Sequence, residues 1–195
     1  MLQTIFKQSV SDAVSNPSSH NAFTQETDER SIQKRSTQSW TAVFIDGASL
    51  YHAAQKLDIE IDYAKLLYEL TKNNRFLRAF FYTCVDRTNE KQQGFVLWMR
   101  RNGYRVITRD LAQFDASKKV NLDVEIAVDM MQLVDYCEKM ILVTGDGSLS
   151  YAANCVAYKG IQVEVVSLKS MLSESLLNVC DRFTDLETLK HLIQK

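Results

Sequence analysis

The pattern of hydrophobic and polar positions changes character near Trp40. From there on, short runs rich in β-branched and aromatic residues alternate with longer stretches whose apolar residues recur at helical spacing. The runs predicted as strands are TAVFID, RAFFYTCV, YRVIT, MILVT and IQVEVVSL. The stretches predicted as helices are SLYHAAQKL, DYAKLLYELTKN, EKQQGFVLWMRRNG, LDVEIAVDMMQLVDYC and SLSYAANCVAYKG, and a further helical stretch and the short RFTDL precede a last helix. This alternation predicts an α/β fold with a central, mostly parallel sheet flanked by helices on both faces.

The same pattern divides the chain into a domain at residues 40–195 and an N-terminal extension at residues 1–39. Residues 15–39 are rich in Ser, Thr, Asn and Gln. Such a segment buries too little apolar surface to offset the entropy of ordering, so we expect it to be flexible. Residues 1–14 place apolar side chains near helical spacing, which indicates either a short amphipathic helix that docks on the protein or on a protein partner, or a fraying terminus. These apolar residues are Leu2, Ile5, Phe6, Val10 and Val14.

Composition narrows the class of protein. The 195 residues are 46% hydrophobic, which suits one substantial core, and the formal net charge is −1. A chain this close to neutrality has no global field toward nucleic acid or membranes, so phosphate binding requires a local patch. The four cysteines are widely spaced, as in proteins of a reducing compartment. With no apolar run of membrane length and no signal or transit pattern, we expect a cytoplasmic protein without a membrane partner.

Two predicted strands end in an aspartate followed by glycine. Asp46 ends the run AVFID, and Asp146 follows ILVT in the turn Gly145–Asp146–Gly147. The carboxyl ends of parallel strands meet at one edge of a sheet, so these carboxylates should lie close together. The alternative is that each aspartate caps the helix that follows it. The two glycines would let the backbone turn tightly and let a substrate approach.

A third carboxylate, Asp123, begins the helix after a long polar loop. On a helical wheel it falls in the middle of an apolar stripe, so we expect it to face the sheet, where a carboxylate needs a partner. The alternative is favourable placement of an acid at a helix N-terminus. The stripe consists of Ile126, Ala127, Met130, Met131 and Val134. The solvated face is predicted to hold Glu125, Asp129 and Gln132.

Three converging carboxylates repel one another, and a divalent cation is the usual compensation. Oxygen ligands favour Mg²⁺ or Mn²⁺ over Zn²⁺. Because such a cation can activate water and stabilise charge on a phosphoryl group, the pattern indicates hydrolysis of phosphodiester bonds.

Three motifs together carry a resemblance to a known family. FIDGASLY, VNLDVEIAVDM and LVTGDGSLSYAANCVAYKGIQVEVVS, in this order, resemble the NYN domain and within it the LabA-like branch, over residues 41–168. The resemblance implies a three-layer Rossmannoid (PIN-like) fold. It also implies metal-dependent ribonuclease chemistry, with Asp46, Asp123 and Asp146 as the catalytic and metal-binding acids. Some LabA-like members act in cyanobacterial circadian output, where they repress gene expression.

The chain departs from the family pattern at two positions. Ser49 stands where the family commonly has Asn, and Ser148 stands where it commonly has a second acid after the Gly-Asp turn. We interpret both serines as substrate-binding positions, and Ser148 also as N-cap of the helix that follows. One acid fewer lowers the charge of the site and should weaken its hold on a metal.

Contacts to RNA need cations near these acids. Lys118 and Lys119, in the long loop before Asp123, are predicted to bind substrate phosphates, because a loop of this length usually has a function. Arg109 lies in the same predicted loop, whereas Arg100 and Arg101 are interpreted as solvated charges. Tyr51, directly after the first motif, is the one aromatic residue interpreted as a base-stacking candidate.

Two functions follow from these interpretations. The first is a Mg²⁺- or Mn²⁺-dependent ribonuclease that acts on single-stranded RNA. The second is a regulatory protein of the LabA type with little or no activity, which acts in gene expression through RNA or protein binding. The retained acids favour the first, and the two serines favour the second. A nucleotide-binding protein is disfavoured by the absence of a G-x-x-x-x-G-K-[ST] loop, and the oligomeric state stays open.

Overall fold

A computed structural model describes residues 40–111 and 121–195. The predictions for residues 1–39, and those for Lys118 and Lys119, lie outside the described residues. The described strands are β1 (Trp40–Asp46), β2 (Arg75–Val85), β3 (Tyr104–Asp110), β4 (Lys139–Val143), β5 (Gln162–Ser167) and β6 (Arg182–Asp185). The described α-helices are α1 (Gly47–Leu57), α2 (Tyr63–Thr71), α3 (Glu90–Arg101), α4 (Asp123–Gln132), α5 (Ser150–Tyr158), α6 (Glu174–Leu177) and α7 (Leu186–Ile193).

The six strands form one sheet in the order β3-β2-β1-β4-β5-β6, and each neighbouring pair is parallel. The predicted α/β fold with a parallel sheet is therefore confirmed. The strand order reverses between β1 and β4, because the chain crosses from one half of the sheet to the other there. In open α/β sheets, ligands bind outside the carboxyl ends of the strands at this point of reversal.

Two apolar layers cover the sheet, as the alternation along β1 requires. Val43 and Ile45 pack with buried residues of α1, α2, α3 and α7 on one face. Ala42 and Phe44 pack with buried residues of α4, α5 and α6 on the other face. Each of the large apolar side chains buried in this way contributes about 1.5–3 kcal/mol. The result is the expected three-layer arrangement.

Short polar side chains fix the starts of several helices. Asp46 caps α1, Asp62 caps α2, Asn89 caps α3 and Asp185 caps α7, each by accepting backbone N–H groups of the first turn. Such a cap is worth about 1 kcal/mol. Within the described part of the chain, none of the helices combines the length and the apolar character needed to cross a membrane.

Several predicted boundaries differ from the structure. Strand β2 begins at Arg75, three residues before the predicted run, and RFTDL supplies the sixth strand, β6. Arg109 and Asp110, assigned to the long loop, pair with Cys84 and Val85 as the end of β3. Helix α4 ends at Gln132 rather than continuing to Cys137.

Candidate functional site

Three carboxylates from separate parts of the chain line one cavity at the point where the strand order reverses. Asp46 ends β1, Asp146 follows β4, and Asp123 is the first residue of α4. All three border a cavity of about 630 Å³. Because β1 and β4 are neighbours and parallel, their carboxyl ends bring Asp46 and Asp146 to the same edge of the sheet. The predicted convergence of these residues on one surface is what the structure shows.

Asp46 both caps α1 and borders the cavity. Its Oδ1 accepts hydrogen bonds from the backbone N–H groups of Ala48 and Ser49, at 3.0 and 3.3 Å. Its Oδ2 accepts from Ser49 Oγ at 2.5 Å and from Thr144 Oγ1 at 3.3 Å. Helix capping and a place in the site were alternatives in the sequence, and the structure combines them.

Asp146 and Asp123 are joined through Ser148. The backbone N–H of Ser148 donates to Asp146 Oδ1 at 3.0 Å, and its hydroxyl donates to Asp123 Oδ2 at 2.7 Å. Asn121 Nδ2 donates to the same Asp123 oxygen at 2.8 Å. One serine therefore contacts two of the three acids, which fixes their relative position.

Thr144 is a site residue that the sequence interpretation missed. Its side chain is buried, and its Oγ1 lies 3.1 Å from Ser49 Oγ and 3.2 Å from the backbone N of Asp146, whose N–H it accepts. It thus links the Asp46 end of the site to the Asp146 end. A polar residue at the end of the otherwise apolar run MILVT was the available signal.

The electrostatics of the cavity suit a cation. Among the described residues that border it, none is Lys or Arg, while three are aspartates. Arg109 Nε and Nη2 instead contact Glu125 Oε1. The oxygens of Asp46, Asp123 and Asp146 are the ligand type that Mg²⁺ and Mn²⁺ prefer. Within residues 40–111 and 121–195, however, no three His, Cys, Asp or Glu side chains are grouped tightly enough to hold one ion together.

The predicted orientation of α4 is only partly right. Ile126 and Met130 are buried as expected, but Met131, placed in the apolar stripe, is 40% exposed. Two acids assigned to the solvated face have partners on the sheet: Glu125 pairs with Arg109, and Asp129 Oδ2 accepts from Tyr82 Oη at 2.8 Å. Burial first, and this hydrogen bond second, raise the pKa of Tyr82, so the phenol stays protonated. The exposed side of α4 instead carries Val124 and Val128.

The glycines of the turn have a different role from the one predicted. Neither Gly145 nor Gly147 has a positive φ angle. A Cβ on Gly145 would overlap the carbonyl oxygen of Met171, and one on Gly147 would lie 2.5 Å from Ser175 Oγ. Residues of the segment 167–175 of the chain itself therefore lie close to these glycines. The prediction was that a substrate would lie there.

The predicted N-cap role of Ser148 is wrong, whereas the substrate-binding roles of Ser49 and Ser148 stay predictions. Ser148 lies in a 3-10 turn, Gly147–Leu149, and does not cap α5, whose first turn has no side-chain cap. Asp146 is the residue that caps this turn. Ser49, predicted to bind substrate, donates its hydroxyl to Asp46.

Besides the acids, the lining of the cavity is largely aromatic. Tyr51 and His52 of α1, Tyr63 of α2 and Phe95 of α3 border it together with Phe81 of β2. Cys84 also borders the cavity. Burial raises the pKa of its thiol, Arg109 opposes this, and the charges of Asp46 and Glu125 add to it, so that the net pKa is raised.

Comparisons with known proteins agree with this geometry. Residues 40–187 match the NYN domain family. The chain is 31% identical over 163 residues to the low amplitude and bright protein LabA of Synechococcus elongatus, covering 79% of this chain and 87% of the relative. A crystal structure of a Vibrio parahaemolyticus protein of unknown function has the same fold, with a TM-score of 0.69 and 24% identity, over 76% of this chain and 93% of that one.

The family match and the relative together support a nuclease-like or LabA-type regulatory protein. The match begins at the first residue of β1 and ends in the first turn of α7, so it spans the whole sheet. The chain therefore belongs to the NYN domain family, in its LabA-like branch.

Proposed function

We propose that the protein is a divalent-metal-dependent ribonuclease that hydrolyses phosphodiester bonds of single-stranded RNA. The observation that carries the proposal is the placement of Asp46, Asp123 and Asp146 on one cavity at the reversal of strand order. Three segments distant in sequence supply these acids. The pairing of β1 and β4 brings Asp46 and Asp146 to one edge, but it does not require Asp123, at the start of α4, to border the same cavity.

Asp46, Asp123 and Asp146 are the residues that would hold Mg²⁺ or Mn²⁺. Mg²⁺ commonly takes only one or two carboxylates and completes its coordination with waters and substrate phosphates. This coordination preference fits acids that are spread along the wall of a cavity. Within the described part of the chain, no three acidic, His or Cys side chains are grouped around a single point. A cation held there supplies activation of water and neutralises charge at the phosphoryl group.

The neighbouring polar groups orient the acids. Ser49 and Thr144 both donate to Asp46 Oδ2, and Ser148 and Asn121 both donate to Asp123 Oδ2. Asp46 Oδ1 also accepts the backbone N–H groups of Ala48 and Ser49, so a cation at Asp46 would bind a carboxylate that hydrogen bonds already hold in place. These serines and Thr144 are positioning residues, because they act through the acids.

Lys118 and Lys119 are proposed to bind the phosphates of the RNA. Asn121 borders the cavity. Lys119 is two residues from Asn121, a span of at most about 7 Å along the chain. A lysine this close along the chain to Asn121, which donates to Asp123, would attract the RNA backbone without reading its sequence.

The alternative function is a regulatory protein of the LabA type that controls gene expression, as in cyanobacterial circadian output, through RNA or protein binding. Ser148 favours this alternative, because it places a neutral hydroxyl where the family commonly has an acid. In this reading residues 1–39 would contact a protein partner, and residues 40–195 would form the RNA-binding domain.

The experiment that tests the proposal is cleavage of a labelled single-stranded RNA with Mn²⁺ or Mg²⁺. We expect the parent protein to cut, Asp46→Asn to be inactive and Asp62→Asn to cut like the parent. Asp62 is a matched control, because it caps α2 with the same two-N–H geometry and does not border the cavity. If the parent does not cut but Ser148→Asp does, activity was lost at that position and the regulatory function is supported.

A further inference from the structure

Four aromatic residues, which we call the aromatic half of the cavity, have no role in holding a metal, yet they line the same cavity as the three acids. They are Tyr51, Tyr63, Phe81 and Phe95. We propose that this half is a subsite for one nucleobase of a single-stranded RNA, which stacks on Tyr51 and accepts a hydrogen bond from Gln92. The inference rests on the proposed function for its choice of RNA as ligand. It adds a specificity determinant that the acids cannot supply. A cavity of about 630 Å³ lies within the range of about 300–1,000 Å³ typical of ligand pockets.

Packing makes the floor of this subsite rigid. The rings of Tyr63, Phe81 and Phe95 contact one another with centroid distances of 5.2 to 5.9 Å, and their planes are tilted or perpendicular. Edge-to-face packing of this kind fixes the rings and adds to their burial energy. A planar ligand would therefore meet a preformed apolar surface.

Tyr51 provides the stacking face. It is 58% exposed, although it borders the cavity. Its hydroxyl accepts a hydrogen bond from Gln55 Nε2 at 2.9 Å, one helical turn further along α1. A tethered hydroxyl limits the ring's freedom while leaving much of its surface to solvent. Exposed aromatic side chains that stack on bases are the usual feature of single-strand binding.

Gln92 supplies a hydrogen-bond donor of known orientation. Its Oε1 accepts the backbone N–H of Asp86 at 2.7 Å. Because a backbone N–H needs an acceptor, the oxygen of the amide must face Asp86, and the Nε2 group must face the other way. Among the described residues, Nε2 has no hydrogen-bond partner, and Gln92 borders the cavity. Gln92 therefore lines the cavity with an amide whose donor has no acceptor in the part of the chain that the structure describes.

A lone donor recognises carbonyl groups. The pairing edge of uracil carries two carbonyl oxygens, whereas that of adenine carries an amino group beside a single ring-nitrogen acceptor. The two N–H bonds of the Gln92 amide find an acceptor at either carbonyl of uracil, but on adenine they find one acceptor, N1, and the neighbouring amino group opposes them as a second donor. The geometry thus predicts a preference for uridine-rich over adenosine-rich single strands.

The experiment is binding of fluorescein-labelled nine-nucleotide oligouridylate and oligoadenylate to the full-length protein, followed by fluorescence anisotropy in EDTA. We expect the parent to bind oligouridylate more tightly. Tyr51→Ala should weaken both affinities about tenfold, the scale of one lost stacking contact. Gln92→Glu keeps the acceptor for the N–H of Asp86 and loses the donor, so it should abolish or reverse the preference for uridine. Tyr158→Ala, at an 83% exposed tyrosine of α5, should bind like the parent.

The subsite is wrong if the parent binds neither strand, if Tyr51→Ala binds like the parent, or if Gln92→Glu keeps the uridine preference. Because EDTA prevents metal-dependent cleavage, binding and cutting are separate results. The expected binding pattern without cleavage in Mn²⁺ would overturn the ribonuclease and keep the subsite. Cleavage that depends on Asp46, with unchanged binding by the Tyr51 and Gln92 variants, would keep the ribonuclease and overturn the subsite.

Discussion

The acidic side chains at the two ends of strand β4 have different kinds of partners. At its first residue, Lys139 Nζ lies 2.6 Å from Glu164 Oε2, and both side chains are only 10% exposed. Thr184 Oγ1 also donates to Glu164 at 2.7 Å, and Arg182 lies 3.8 Å away. Beyond the last residue of β4, the three acids of the cavity accept hydrogen bonds from hydroxyl groups, backbone N–H groups and the Asn121 amide.

The difference separates Glu164, whose partners include two cations, from Asp46 and Asp146, whose hydrogen-bond donors are neutral. Burial by itself raises the pKa of Glu164, but hydrogen bonds from Lys139 and Thr184 and the charges of Lys139 and Arg182 outweigh it and lower the pKa overall. The negative charge of Glu164 is thus neutralised inside the fold. At the cavity, the hydroxyl and backbone N–H groups that donate to Asp46 and Asp146 orient these carboxylates without cancelling their charge. We infer that this end of the sheet is the one that needs an external cation.

Removal of the buried ammonium group of Lys139 should lower the stability of the fold more than any other substitution considered below. Lys139→Met leaves Glu164 buried without its main partner, which should lower the free energy of unfolding by about 3–5 kcal/mol. Urea denaturation measures the loss. Lys195→Met is the control, because Lys195 pairs with Glu60 where both side chains are mostly exposed, and such pairs are worth at most about 1 kcal/mol. Equal losses in the two variants would show that the Lys139–Glu164 pair is not the structural charge we describe.

Removal of one acid from the cavity should change the stability little and the cleavage rate strongly. Asp146→Asn keeps a good capping side chain, so the free energy of unfolding should change by less than about 1 kcal/mol. The cleavage rate should fall about 100-fold or more, the scale for losing one group that stabilises charge in a transition state. Asp62→Asn should match it in stability and leave cleavage unchanged. A large loss of stability in Asp146→Asn would mean that this acid is structural after all.

Ser148 should tune the cavity by a smaller amount. Ser148→Ala removes the hydroxyl that holds Asp123, and it should weaken Mn²⁺ binding about tenfold, the lower end for residues that orient metal ligands. Ser148→Asp adds a carboxylate and should tighten binding. Isothermal titration calorimetry gives both constants. Ser170→Ala, an exposed serine outside the cavity, should bind Mn²⁺ like the parent, and a parent-like Ser148→Ala would remove the positioning role.

The pKa of the Cys84 thiol should respond to the negative charge of the cavity, and this is the smallest of the expected effects. Burial raises the pKa of this thiol, and the charge of Asp46 adds to that rise, so its thiolate should form above the ordinary value of about 8.5. Asp46→Asn removes a negative charge, which favours the thiolate of Cys84. The pH at which iodoacetamide alkylates Cys84 at half its maximal rate should therefore be lower. Peptide mass spectrometry separates the sites. Cys137, whose pKa burial raises to about 11, should not respond. An unchanged Cys84 midpoint would show that Asp46 does not act on that part of the cavity.

The sequence predicted the parts of this site that depend on strand ends. Asp46 and Asp146 were found because apolar runs mark parallel strands, and carboxyl ends of parallel strands share an edge. Asp123 was found because its place on the helical wheel requires a partner. These inferences use only local periodicity and a topological rule, and they needed no knowledge of the neighbouring side chains.

The parts that failed depend on residues distant in sequence. Glu125 and Asp129 looked solvated because their partners, Arg109 and Tyr82, lie on β3 and β2. Gly145 looked like a flexible turn because its close neighbour, Met171, comes after β5. No pattern within α4 or within the turn contains these contacts, so only the assembled sheet reveals them.

The central claim is that the acids at the carboxyl end of the sheet hold a divalent cation. The most direct test is Mn²⁺ binding without RNA, followed by the loss of the free-ion signal in electron paramagnetic resonance. The account predicts that the parent and Asp62→Asn proteins bind Mn²⁺, and that Asp46→Asn and Asp146→Asn bind it much more weakly. A parent protein that leaves the free-ion signal unchanged, or an Asp46→Asn protein that binds as well as the parent, would contradict it.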